Sequence, residues 1–85
     1  MKTEYLEFCG KEITLHDAKI IALLCKGLDR YNMSLLLGNK PNTLDKEITL
    51  IFRKTQTTKN TELIALALAN GFDTKGNFNG KQLFN

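Results

Sequence analysis

The sequence predicts an all-α fold of four helices. Three observations carry that expectation: apolar residues recur at helical spacing in four stretches, capping residues or glycines bound those stretches, and the single proline stands where a helix would begin.

Ahead of the helices, Tyr5-Leu6-Glu7-Phe8 and Glu12-Ile13 flank Cys9-Gly10-Lys11, a pattern that suits either a short hairpin or an extended lead-in over residues 1–12. The first helix starts at Thr14, whose hydroxyl can cap while Asp17 completes a capping-box-like pair. Apolar residues then recur through Ile20, Ile21, Leu24 and Cys25, and Gly27 ends the run. Asp29 is the next cap. Met33, Leu36 and Leu37 share one face of a short second helix, which Gly38 stops. Asn39-Lys40-Pro41-Asn42-Thr43 turns the chain into a third helix over 41–56, because proline's fixed φ and missing N–H suit the first helical position. A fourth helix follows Asn60-Thr61-Glu62 as cap and first turn and ends at Asn70-Gly71. Two short helices and a longer third, joined by tight turns, form a helix-turn-helix scaffold over residues 13–71. Residues 72–85 form an irregular tail rich in turn-formers.

At about 100° per residue, Leu44, Ile48, Ile51, Phe52 and Thr55 gather on the core side of the third helix. Asn42, Lys46, Thr49 and Arg53 line the other. An amide, an ammonium, a hydroxyl and a guanidinium are the donors that reach base edges and phosphates from a helix in the major groove. Charge partition points the same way. Of 12 Lys plus Arg against 9 Asp plus Glu, residues 1–38 hold five of each sign and residues 61–85 two of each. The whole excess of +3 therefore lies between 39 and 60, the footprint of a polyanion partner.

The fourth helix, Leu63-Ile64-Ala65-Leu66-Ala67-Leu68-Ala69, is apolar all round. Leu63, Leu66 and Ala67 cover the chain's own core, so Ile64, Ala65 and Leu68 need a second cover. That cover is either a second copy or the tail, folding back through Phe72, Phe78, Leu83 and Phe84.

Other classes fare poorly. Cys9, His16 and Cys25 stand seven and nine residues apart, match no zinc pattern and are one ligand short of a closed site, so no metal or other cofactor is expected. A Cys25 thiolate paired with His16 would need an orienting third group and a pocket; the chain is read as no enzyme, and Cys25 as a small core hydrophobe. No window nears the roughly 18 apolar residues of a membrane span, and no apolar secretion segment opens the chain. A cytoplasmic protein is expected.

From Ile13 to Asn70 the chain resembles the LuxR/GerE-type helix-turn-helix domain without a gap. Ile13-Thr14 stands for the family's opening Leu-Thr, Asp17 for its acidic position, Ile20-Ile21 for its Val-Leu and Gly27 for the closing glycine. Met33-Ser34 matches its Ile-Ala, Leu37-Gly38 its Leu-Gly, Thr43-Leu44 its Thr-Val, Ile51 its core isoleucine and Arg53-Lys54 its basic pair. Glu62-Leu63-Ile64-Ala65-Leu66-Ala67 is similar to its fourth helix almost letter for letter. The resemblance implies a third helix in the major groove and a fourth that pairs two subunits over a two-fold related site. It also implies a bacterial transcriptional regulator, held at the nucleoid through double-stranded DNA, with RNA polymerase or another regulator as a further partner. The Met start and the length favour a stand-alone regulator over an excised domain.

On that reading Lys46 and Thr49 contact bases, Lys40, Asn42, Thr43, Arg53 and Lys54 hold phosphates, and Ile64, Ala65 and Leu68 form a homodimer interface. Four positions depart from the family. Asp45 replaces a lysine and Glu47 a histidine, putting two acids on the recognition helix; Thr55 and Thr57 replace apolar residues, suggesting a looser join to the fourth helix. Carboxylates near phosphates weaken attraction, although Asp45 can accept from a cytosine amino group and, in the first helical turn, suits the helix dipole. Leu50 beside the stripe suits a thymine methyl or a protein surface. The alternative these acids support is a degenerate helix-turn-helix that serves as a protein-interaction module, an antiactivator or heterodimer partner, with little DNA binding.

Overall fold

In the computed structural model, which describes residues 5–84, the chain enters through a hairpin. Strand β1 (Tyr5–Phe8) pairs antiparallel with β2 (Lys11–Thr14), Leu6 opposite Ile13 and Phe8 opposite Lys11. Both turn residues, Cys9 and Gly10, have positive φ (54° and 75°), as the tight primed turns that match strand twist require. Alternation then puts Phe8 and Ile13 into the core and Glu7 and Glu12 outward.

Thr14 closes β2 and caps α1 (Leu15–Cys25), its hydroxyl accepting from the Asp17 N–H at 3.0 Å. Every residue from Ile20 to Cys25 is buried, so α1 is a central helix wrapped by the rest of the chain. Gly27, at φ +82°, ends it: its N–H reaches Leu24 O and that of Leu28 reaches Leu23 O, the paired bonds of a Schellman stop.

Asp29 caps α2 (Arg30–Leu37) by accepting from the Asn32 N–H at 2.8 Å, and Gly38 at φ 72° stops it. One expectation fails here. Met33 is buried and Leu37 half-buried, but Leu36 is 58% exposed, and Ser34 takes the buried place with its hydroxyl donating to Tyr31 O. Because α2 leans on α3 with its Arg30 side, its buried arc is centred between Met33 and Ser34; Leu36 lies about 100° from that centre and faces out.

Helix α3 (Pro41–Thr55) has Pro41 at its first position and buries Leu44, Ile48 and Ile51. It ends at Thr55, one residue sooner than the sequence suggests, and Gln56 at φ 58° turns the chain. The join to α4 (Asn60–Ala69) is hydrogen-bonded despite its threonines: Thr55 Oγ1 donates to Ile51 O at 2.8 Å and lies 2.9 Å from Thr57 Oγ1. Asn60 is already helical and does not cap. Glu62 reaches back to accept from the Thr58 N–H at 2.9 Å and from the Thr58 hydroxyl, and these bonds hold its carboxyl below its usual range.

The tail is not irregular. After Gly71, Phe72 bridges Phe78, and β3 (Asn77–Phe78) pairs with β4 (Lys81–Gln82) through a two-residue Asn79-Gly80 turn at φ 52° and 77°. Asp73 holds the preceding loop by accepting from the N–H groups of Lys75 and Asn77, which lowers its pKa. Phe72 meets Phe8 edge-on with 5.4 Å between ring centroids and Phe78 at 4.6 Å, so both ends of the chain enter one core. Four helices and two short antiparallel pairs thus give a mainly α structure of 30 × 29 × 24 Å. No helix among the described residues is long and apolar enough to cross a membrane.

Candidate nucleic-acid interface

Core burial of Leu44, Ile48 and Ile51 fixes how α3 is rolled, and the roll turns one polar stripe outward. Asn42, Lys46, Thr49 and Arg53 are all exposed and fall within an arc of about 60° at helical spacing. Lys40 and Thr43, at the start of the helix, are exposed as well, and Leu50, beside Lys46, is 53% exposed. Thr49 Oγ1 donates to the Asp45 carbonyl at 3.0 Å, which aims its oxygen along the helix surface. Among the described residues Lys40, Lys46 and Arg53 make no ion pair.

The flanks of the stripe are tied down. Toward α2, Arg30 Nε donates to Asp45 Oδ1 at 2.7 Å. Toward α1, Glu47 sits between the His16 Nε2 and the Asn39 amide, which donates to Glu47 Oε1 at 2.7 Å. Farther along the same flank Lys54 pairs with Asp17 at 3.0 Å, and Lys11 of β2 donates to the Lys54 carbonyl at 2.6 Å, where a cation suits the helix C-terminus. Helix α3 is therefore held at its start, middle and end by polar ties, and the stripe between them is left open.

This geometry changes the weight of three residues. Asp45 and Glu47 do not stand as two bare charges, since each has a partner. Lys54, counted as a phosphate holder, spends its ammonium on Asp17, whose side chain is 14% exposed. Asp45 is the fifth residue of α3, beyond the first turn, so the dipole benefit expected for it there does not apply. The partners Arg30, His16 and Asn39 were not legible as site residues: they lie 15, 31 and 8 positions from the acids they hold, and no local spacing rule spans such gaps.

On α4, Leu63 and Ala67 are buried, Ile64 and Leu66 pack half-buried against the core, Ala65 is exposed and Leu68 is 42% exposed. Of the three residues assigned to a dimer interface, Ile64 thus already has partial cover from its own chain. The tail packs on the hairpin through Phe72 and reaches α1 at Lys19, whose ammonium lies 5.5 Å from the Phe84 ring, while Leu68 stays open. Elsewhere, Cys9 is exposed and Cys25 is buried, its thiol pushed up to about 11 by desolvation first and by Asp73 second. Compared with known protein families, curated proteins and solved structures, the chain matches none.

Proposed function

We propose that this protein is a sequence-specific double-stranded DNA-binding regulator, a helix-turn-helix domain of LuxR/GerE type in which α2 and α3 are the two helices of the motif. The observation that carries the reading is the open stripe of α3: an amide, an ammonium, a hydroxyl and a guanidinium share one exposed arc while each neighbouring acid has at least one partner of its own. Lys46 and Thr49 contact base edges. Lys40, Asn42, Thr43 and Arg53 hold phosphates, and Lys54 joins them only if it leaves Asp17. About 22 Å of helix, at 1.5 Å per residue, is long enough to lie along a major groove. Ala65 and Leu68, with the outer edge of Ile64, pair two subunits so that two copies of α3 meet two half-sites.

The test is binding of the purified protein to a pool of random labelled duplexes across a salt series, with the bound fraction sequenced. Enrichment of a short palindrome, with affinity falling steeply as salt rises, supports the reading. No retention even at low salt overturns it. One observation favours a different reading, a protein-interaction module: Tyr31, Leu35 and Leu36 of α2 are 65%, 62% and 58% exposed, an apolar patch that DNA phosphates do not need.

A further inference from the structure

The two acids of α3 have different surroundings. Glu47 is spent inside the fold, with one oxygen on His16, the other on Asn39, and 22% of its side chain exposed. Asp45 is only half spent. Arg30 holds its Oδ1 at 2.7 Å, but among the described residues Oδ2 has no partner, and the side chain is 59% exposed.

Asp45 stands about 40° beyond Thr49 around the helix and in its N-terminal half, the half from which recognition helices reach base edges. A lone carboxylate there would be driven off by phosphates; beside the Arg30 guanidinium the pair is neutral and the repulsion is largely cancelled. An ionised carboxylate only accepts hydrogen bonds. In the major groove the donors are the N4 amino group of cytosine and the N6 amino group of adenine, and adenine sets its N7 acceptor beside the amino group, where it opposes a carboxylate. We infer that Asp45 Oδ2 selects cytosine at one position of each half-site through the N4 amino group, and that Arg30 is its positioning residue, fixing the carboxylate and balancing its charge. This rests on α3 being the helix that reads DNA.

Selection from random duplexes is run in parallel on the parent protein and on Asp45→Ala, Asp45→Asn, Arg30→Ala and Arg30→Lys, with thermal melting of each. Asp45→Ala is expected to lose about five- to tenfold of the cytosine preference at one position and leave the others intact. Asp45→Asn moves that position toward adenine, because an amide both donates and accepts. Arg30→Ala weakens the same preference with little change in melting, and Arg30→Lys restores part of it. An Asp45→Ala protein that enriches the parental motif with its cytosine intact overturns the inference while the DNA reading stands. Altered melting in Arg30→Ala with unaltered preference removes Arg30 as a positioning residue. A parent protein that enriches no motif overturns the DNA reading and this inference together.

Discussion

Helices α3 and α4 both turn a surface outward, and they differ in how that surface is determined. On α3 polar and apolar residues alternate at helical spacing, and Asn42, Lys46, Thr49 and Arg53 are exposed as the pattern requires. On α4 every residue from Leu63 to Ala69 is apolar, so the pattern specifies no outer face. Neighbours specify it instead: the core takes Leu63 and Ala67, half-covers Ile64 and Leu66, and leaves Ala65, Leu68 and Ala69. An amphipathic helix carries its own orientation, whereas a uniformly apolar one takes its orientation from what packs against it.

If neighbours set α4, removing one of them should cost most. Phe72 is 3% exposed, donates its N–H to the Ala67 carbonyl of α4 at 3.0 Å and contacts Phe8 and Phe78. Phe72→Ala is expected to cost about 3–5 kcal/mol in urea unfolding, much of the stability of a domain this small. A loss below 1 kcal/mol would mean that the tail is dispensable to the α4 side.

Two residues of α4, the half-covered Ile64 and the open Leu68, separate folding from association. Ile64→Glu puts a charge at a half-buried site and should lower both melting temperature and dimer content, with roughly 1–3 kcal/mol lost from the fold. Leu68→Glu should yield a monomer by light scattering with its melting little changed, since the side chain is already 42% exposed. A Leu68→Glu protein that remains dimeric excludes this face of α4 as the interface.

For α3 the matching change is Lys46→Ala. Its exposed ammonium makes no ion pair among the described residues, so the fold should not notice; DNA affinity should fall by about 1–3 kcal/mol, with relaxed specificity at one position per half-site. Unchanged binding and specificity would remove Lys46 from the readout.

A pH-dependent effect concerns Cys25 of α1, whose thiol is pushed up by burial first and by Asp73 of the tail second. Its folded pKa, about 11, lies above the ordinary 9.0. The unfolded chain then loses the thiol proton first. The stability contributed by the neutral buried thiol is fully present below pH 9 and is lost as pH rises toward 11, on the order of 2 kcal/mol. Urea midpoints compared between the parent and Cys25→Ala from pH 8 to 11 check this, and parallel curves for the two proteins would refute it.

How much of the molecule could be read in advance follows the range of the interactions involved. Thr14, Asp29 and Gly38 act within a few residues of themselves, so the boundaries they set were legible. The Asn79-Gly80 turn is equally local, but in the sequence its residues read only as turn-formers of an irregular tail, and the β3–β4 pair they join is not expected. Leu36 misled because a helix of eight residues has several apolar arcs to choose from, and contact with α3 chose the arc that includes Ser34. The ties from Arg30 to Asp45 and from His16 and Asn39 to Glu47 join separate helices and turns, and no periodicity records them.

The sequence by itself determined the four helices, their stops and the outward stripe of α3, because caps, glycine φ and helical spacing act over one or two turns. Tertiary structure alone decided which face of α4 stays open, that the tail joins the core, and that each acid of α3 gains a partner. Each of these depends on groups far apart in the chain meeting in space, and burial and charge pairing exist only once they have met.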